Sequence, residues 1–236
     1  MSLINKVVAI IDNKVPLAEL KYSTPFVYEE GDGILNIKWK QIIPPPPKND
    51  SLTTLKELDL VEEVANRRSQ RAIELVTKVD KDPLSLFFDF FEKKNIKLQR
   101  SLFDEYYNIM EGYVYALKYY FNRPRPEQIA PYHNKEINVL YTETHQTPAY
   151  PSGHTIYAEL AAHVFSDVYP QYKSELFELA KQTGLARILQ GVHFPSDNKA
   201  SVMVAKKLYP IIKERLKNEK RTQEIQIDKR TGDQRT

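Results

Sequence analysis

Apolar residues recur at intervals of three and four over most of the chain beyond residue 50, which is the spacing of one buried helix face. Capping residues and prolines separate these stretches: Ser51 stands before the first and Pro83 opens the second. The pattern predicts six helices, which span residues 51–79, 84–94, 99–121, 152–168, 172–189 and 195–217. We therefore expect an all-α fold, a single-domain helical bundle.

Both ends of the chain depart from this pattern. In residues 1–50, positions 34–43 alternate apolar and polar side chains, and Pro44 to Pro47 exclude a helix. We interpret these residues as an irregular N-terminal arm with a proline-rich connector, and a ligand for a proline-binding domain is the alternative. Residues 218–236 are charged and poor in apolar side chains, which predicts a flexible tail. The predicted domain thus spans residues 51–217.

Composition narrows the classes of function. The 34 basic and 31 acidic residues give a net charge of only +3, too small a field to indicate a nucleic-acid partner. There are no cysteines, which excludes disulfides and thiolate chemistry. The apolar run at residues 7–11 is too short for a signal peptide, and no run of about 18 apolar residues predicts a membrane span. A cytoplasmic protein is expected, and a homo-oligomer stays open.

Two cations flank the end of the third predicted helix. Lys118 lies in its last turn, and Arg125, followed by Pro126, comes after a proline that lets the chain turn back. A lysine supplies a point charge, and an arginine supplies a planar fork that holds two phosphate oxygens. Arg123 lies beside Arg125, and only the spacing from Lys118 selects the latter. A helix-end lysine with surface arginines is the structural alternative.

A second cluster lies where a loop meets the helix predicted from residue 152. Pro151, Ser152, Gly153 and His154 follow one another there. The first backbone N–H groups of a helix are free and lie at the positive end of its dipole, so they attract anions. Gly153 allows close approach, Ser152 adds a hydroxyl, and His154 can deliver a proton to a leaving oxygen. A serine cap beside an incidental histidine is the alternative.

The third cluster pairs a histidine with a carboxylate. His193 and Asp197 lie four residues apart at a predicted helix start, close enough for a hydrogen bond that fixes the imidazole tautomer. Arg187, at the end of the preceding helix, is expected beside them after a tight turn. The three clusters together supply cations, amides, a histidine nucleophile and an acid, which are the groups that phosphoryl transfer requires.

These motifs resemble the three-part signature of the superfamily of type-2 phosphatidic acid phosphatases and vanadium haloperoxidases. The resemblance covers about residues 110–200 and rests on Lys118-x6-Arg125-Pro126, Pro151-Ser152-Gly153-His154 and Ala186-Arg187-x5-His193-x3-Asp197. It implies a helical fold and a metal-independent phosphatase that works through a phosphohistidine. In this family a serine usually precedes the arginine of the third motif, so Ala186 implies the loss of a hydroxyl contact and weaker or altered phosphate binding.

The resemblance also implies a role for each motif residue. His193 is implied as nucleophile, Asp197 as its orienting partner, and His154 as the acid that protonates the leaving alkoxide and then activates water. The residues implied to hold the phosphoryl oxygens are Lys118, Arg125, Ser152, Gly153 and Arg187. No metal site is expected, because His193 and Asp197 lack a third ligand at a suitable spacing.

Three functions remain in competition. Because the chain lacks predicted spans, it resembles the soluble, acid-phosphatase-like branch, which implies small phosphate monoesters as substrates and no cofactor. A vanadate-dependent haloperoxidase, in which His193 would ligate vanadium, is the alternative, and the shortness of the chain disfavours it. A non-catalytic phosphate-binding scaffold is the third. Aromatic residues near the motifs, expected to stack on a substrate or to pack, are Tyr119, Tyr120, Tyr132 and Tyr150. Histidines left outside the motifs are His133, His145 and His163.

Overall fold

The computed structural model describes residues 16–22, 41–141 and 143–232, with side chains up to residue 219. Seven helices occur in this part of the chain: α1 Leu52–Asn66, α2 Gln70–Lys81, α3 Ser85–Lys93, α4 Ser101–Phe121, α5 Gly153–Val168, α6 Lys173–Leu189 and α7 Pro195–Gly232. Within the described ranges there is no strand, and the predicted all-α fold is confirmed. The alternating segment at 34–43 lies almost wholly outside the described residues.

The first predicted helix is two helices, so the single helix over residues 51–79 is wrong. Helix α1 ends at Asn66, and the Ser69 hydroxyl caps α2 by accepting a hydrogen bond from the Ala72 amide at 3.2 Å. Between them, Arg68 extends away and donates to the carbonyls of Asn138, at 2.6 Å, and Leu189, at 2.8 Å. A serine that bonds local backbone competes with helix continuation, and apolar periodicity alone does not register this.

Helix α5 lies at the centre of the bundle and packs against α4, α6 and α7. Nearly every one of its side chains is buried, so it has no polar face. At its C-terminal half, Phe165 lies 5.9 Å from Phe91 of α3, ring centre to ring centre, in an edge-on arrangement. Each buried phenylalanine contributes about 1.5 to 3 kcal/mol through lost water contact. The packing fixes α5, and with it the loop that precedes it.

Helices α1 and α2 pack against α6 on another side of the bundle. Leu58 and Val61 of α1 share an apolar cluster with Val192 and Phe194, both fully buried. These last two residues flank His193, so α1 anchors the segment on which His193 lies. Gly191 begins that segment with φ +87°, and a Cβ there would approach the Ile137 side chain to 2.8 Å, which only glycine avoids.

Helix α7 continues to Gly232, past the predicted end at Lys217. Residues 218–231 contain no proline or glycine and are rich in Glu, Lys, Arg and Gln, which are good helix formers. The backbone there is therefore helical rather than frayed. None of the described helices combines the length and the apolar character needed to cross a bilayer. In the proline run at residues 44–47, the Pro44 carbonyl accepts a hydrogen bond from the Tyr150 hydroxyl at 2.6 Å.

Candidate active site

A cavity of about 690 Å³ opens at the N-terminal end of α5. Five residues of the three sequence clusters line it: Lys118, Arg125, Gly153, His154 and His193. Ser152, Arg187 and Asp197 lie behind this surface, each at most 1% exposed. The structure thus brings the three clusters together and divides them into an inner wall and a supporting layer.

His193 is held at both ring nitrogens. Its Nδ1 lies 3.1 Å from Asp197 Oδ2, which also accepts a hydrogen bond from the Phe194 amide at 2.9 Å. Its Nε2 lies 3.4 Å from Arg125 Nη1. Burial, together with the charges of Arg125 and Lys118, lowers the pKa of His193 well below its usual range. The ring is therefore neutral, and a carboxylate at Nδ1 favours the tautomer whose lone pair is on Nε2.

The other carboxylate oxygen of Asp197, Oδ1, accepts a hydrogen bond from Arg123. Arg123 Nη1 donates to Asp197 Oδ1 at 2.6 Å and to Ser196 Oγ at 2.7 Å, and its guanidinium lies 4.1 Å above the Phe194 ring. Burial raises the pKa of Asp197, and Arg123 opposes that rise. Arg123 thus stands behind the histidine–carboxylate pair, while Arg125 lines the cavity, as the spacing from Lys118 predicts.

Helix α1 completes this arrangement through Glu57. Its carboxylate accepts hydrogen bonds from the amide and the hydroxyl of Ser196, at 2.8 and 2.6 Å, and lies 3.5 Å from Arg123 Nη2. A chain of charged contacts consequently runs from Glu57 through Arg123 and Asp197 to His193. Such a chain holds the imidazole in one orientation.

Lys118 and Arg125 are buried cations without a carboxylate partner in the described ranges. Backbone carbonyls hold them instead: Lys118 Nζ donates to Pro148 at 2.5 Å, and Arg125 donates to Thr147 and Val192 at 2.8 Å each. Burial, then the charge of Arg125, lowers the pKa of Lys118 well below its usual range. A bound anion would favour the charged forms of both Lys118 and Arg125, so this part of the cavity wall is suited to an anion.

Arg187, by contrast, has a carboxylate partner. Its Nη1 bonds Asp80 Oδ1 at the end of α2, and Nη2 donates to Thr144 Oγ1 at 3.2 Å. The same Asp80 oxygen accepts from Thr144 at 2.6 Å and from Gln190 at 3.2 Å. Burial would raise the pKa of Asp80, but the hydrogen bonds from Thr144 and Arg187 outweigh it and hold the carboxyl ionised. Asp80, not Arg187, lines the cavity.

The first turn of α5 supplies an amide, at Gly153, and an acid, at His154. A Cβ on Gly153 would lie 3.5 Å from Val114 and 3.8 Å from Lys118, so its absence leaves room at the cavity wall. The Ser152 hydroxyl accepts a hydrogen bond from Thr155 at 3.0 Å and does not line the cavity. His154 Nε2 lies 3.2 Å from the Asp80 carbonyl, and burial and Arg187 lower its pKa to about 3.

Comparison with known proteins agrees with this geometry. Residues 106–209 match the family model of the PAP2 superfamily. This match includes all three clusters of the site, from Lys118 to Asp197. No curated protein sequence matches the chain significantly.

Among solved structures, a bacterial vanadium-dependent iodoperoxidase is 19% identical with a TM-score of 0.60, over 86% of this chain and 61% of that one. This chain thus spans about three fifths of that protein's length, and the likeness shows the fold alone. A transmembrane PAP2-type phosphatidylglycerolphosphate phosphatase from Bacillus subtilis is 16% identical with a TM-score of 0.45, over 72% of this chain and 89% of that one.

Two carboxylates of the candidate site were not predicted from the sequence. Glu57 and Asp80 lie outside the matched region, and they reach their partners across 139 and 107 residues of sequence. Contacts between residues so far apart in sequence cannot be predicted from local spacing. The one sequence signal for them is an acidic side chain on or beside the apolar face of an amphipathic helix. In the described ranges no group of three His, Asp or Glu side chains is arranged to hold a metal ion.

Several other expectations are corrected. The cavity is lined by Tyr107, Tyr115 and Tyr157, and by none of the four tyrosines expected either to stack on a substrate or to pack, so stacking at these four positions is not supported. Ala186 is 1% exposed and packs against Val76 and Val79 of α2. A serine there would meet an apolar helix face rather than the cavity. Of the remaining histidines, His163 stacks on Tyr209 with ring centres 4.9 Å apart, away from the site.

Proposed function

We propose that this protein, which resembles the PAP2 superfamily over residues 106–209, is a metal-independent phosphatase that hydrolyses soluble phosphate monoesters, with His193 as covalent nucleophile. The observation that carries the proposal is a neutral imidazole fixed by Asp197 at 3.1 Å, in a cavity whose wall holds two cations without carboxylate partners. A phosphate dianion supplies the charge that Lys118 and Arg125 lack. It also presents a phosphorus atom to the Nε2 lone pair.

In the first step, His193 Nε2 attacks phosphorus, and the bond between phosphorus and the ester oxygen breaks. His154 gives its proton to the departing alkoxide. Burial lowers the pKa of His154 to about 3 in the protein alone, but a phosphoryl dianion in the same cavity favours the protonated ring. Substrate binding therefore loads the acid with its proton.

In the second step, neutral His154 takes a proton from water, which attacks the phosphohistidine and releases phosphate. His193 Nε2 recovers its lone pair. Lys118, Arg125 and the Gly153 amide stabilise the charge on the phosphoryl oxygens in both steps. Catalysis by this site would be largely positioning and electrostatics.

The test is hydrolysis of para-nitrophenyl phosphate between pH 4 and 8 with a chelator present, by wild type, His193→Ala and His163→Ala. Turnover that resists chelation should fall at least about a thousandfold in His193→Ala, because the nucleophile is gone. His163→Ala, a histidine outside the cavity, should retain wild-type turnover. Acid quench during turnover should trap a phosphohistidine in wild type only. Undiminished turnover by His193→Ala would reject the nucleophile.

Vanadate has the shape and charge of phosphate, so the same cavity wall fits it. In a vanadate-dependent haloperoxidase, Lys118, Arg125 and Gly153 would hold that anion and His193 would ligate it. Bound vanadate supplies peroxide activation and halide oxidation. Iodide oxidation with vanadate and peroxide, beside absent phosphatase turnover, would favour this function, and phosphate binding with neither activity would favour a scaffold. Cytoplasmic location remains a prediction.

A further inference from the structure

The cavity is much larger than a phosphoryl group, and part of its wall is aromatic. A volume of about 690 Å³ accommodates a whole small organic molecule. The aromatic residues that line it are Phe103, Tyr107 and Tyr115 of α4 and Tyr157 of α5. Lys118 lies on the same helix, further towards its C-terminus, so one helix presents both the aromatic wall and a phosphate-binding cation.

The aromatic wall begins directly beside the phosphate-binding amide. A Cβ on Gly153 would lie 3.8 Å from Cε2 of the Tyr157 ring and equally far from Lys118 Cε. A phosphoryl group held by Gly153 and Lys118 therefore places the first carbons of its alcohol against Tyr157. No gap separates the site of bond cleavage from this wall.

The rings are held in place before any ligand binds. Tyr107 and Tyr157 lie 4.6 Å apart, ring centre to ring centre, and the Tyr107 hydroxyl donates to Glu111 at 2.9 Å. Phe103 lies 5.7 Å from Tyr107 and is 1% exposed. Preorganised rings lose little conformational entropy when a planar group stacks on them.

Charged side chains also line the cavity, among them Lys78, Lys81, Asp82 and Arg100. These charges disfavour a long acyl chain, whereas a compact aromatic ring can lie against the tyrosines. We propose that the cavity selects phosphate monoesters of aromatic alcohols, with the ring of the leaving group against Tyr157, Tyr107 and Tyr115. This inference rests on the proposed phosphatase function.

The test compares two substrates that differ in aromaticity alone. Benzyl phosphate and cyclohexylmethyl phosphate have rings of similar size and primary alkoxide leaving groups. Wild type should show a kcat/KM about tenfold higher for benzyl phosphate, because an aromatic ring makes favourable contacts with the cavity's rings that a saturated ring of similar size does not make. Tyr115→Leu, a half-buried position, should reduce this ratio severalfold. Tyr157→Leu should bring it near one.

Tyr120→Leu is the matched control, because Tyr120 lies on α4, is 52% exposed and does not line the cavity. It should keep the wild-type ratio. A ratio near one in wild type, or an unchanged ratio in the soluble, folded Tyr115→Leu variant, would overturn the inference.

A binding measurement separates the inference from the proposed function. Benzylphosphonate and cyclohexylmethylphosphonate are titrated into wild type by calorimetry. Tighter benzylphosphonate binding without turnover of any ester would sustain the aromatic site and reject the phosphatase. Turnover of both esters at equal rates would sustain the phosphatase and reject the aromatic site.

Discussion

Helices α4–α7 and the pair α1 and α2 contribute to one site in different ways. The first group supplies every side chain proposed to touch phosphate, at helix ends and in the segments between helices. The pair supplies two carboxylates, Glu57 and Asp80, each of which contacts one arginine. The difference teaches that the motif region holds the reacting groups, while the flanking helices add the carboxylate that pairs with Arg187 and a second carboxylate for Arg123.

The four arginines and lysines of the site divide accordingly. Arg123 and Arg187 are paired with carboxylates and lie behind the cavity wall, whereas Lys118 and Arg125 are held by carbonyls and line it. A paired cation orients its neighbours, and an unpaired one attracts a ligand. Substitutions in each group should therefore differ in size and in the kinetic constant that they change.

Asp197→Asn should give the largest effect among the supporting residues. The change keeps the shape of the side chain but removes the charge that holds His193 Nδ1 and Arg123. We expect kcat to fall about a hundredfold to ten-thousandfold, because the imidazole loses its productive tautomer. Steady-state hydrolysis of para-nitrophenyl phosphate measures this.

Circular dichroism and thermal unfolding must show a folded Asp197→Asn variant, since Arg123 loses its shortest ionic contact. A kcat within tenfold of wild type in that folded variant would contradict the orienting role. The motif group would then not depend on its histidine–carboxylate pair.

Asp80→Asn should have a smaller effect than Asp197→Asn, and it should strengthen phosphate binding rather than impair the enzyme. Asp80 is an ionised carboxylate in the cavity wall, so it repels a bound phosphate. Its removal should lower the inhibition constant of inorganic phosphate about threefold to tenfold, because a unit charge several ångströms away contributes about 1 kcal/mol at high effective dielectric. Competitive inhibition at low ionic strength measures the change.

Asp167→Asn is the charge-matched control for this experiment. Asp167 pairs with Lys213, and neither side chain lines the cavity. Its removal should leave the inhibition constant of phosphate unchanged. Weaker phosphate binding in Asp80→Asn would mean that Asp80 serves chiefly to position Arg187, and the division between paired and unpaired cations would lose its meaning.

Local spacing explains what could be predicted from the sequence. Helix starts at Gly153 and Pro195 follow from residues within one turn, and so does the contact of His193 with Asp197. The break before Ser69 depends on the Ser69 hydroxyl, which caps the next helix, and on Arg68, whose side chain bonds a carbonyl that is distant in sequence. The tyrosines of the cavity were missed because a ring's direction depends on how α4 and α5 pack. Tertiary contacts of this kind leave no periodic trace.

Glu57→Gln should give the smallest effect and tests the pair α1 and α2 most sharply. The amide keeps an acceptor for Ser196 but removes the charge that lies 3.5 Å from Arg123. Because this contact is long and Glu57 is partly exposed, we expect kcat to fall only about threefold to tenfold, with KM unchanged. Steady-state kinetics beside Asp197→Asn would measure it.

The control for Glu57→Gln is Glu62→Gln, on the same helix, where the carboxylate accepts a hydrogen bond from Lys135 at 2.6 Å away from the site. It should match wild type in kcat. An equal loss in both variants would assign the effect to weakened packing of α1. A loss as large as that of Asp197→Asn would place Glu57 among the groups on which the chemistry depends, and the two regions would then form one functional unit.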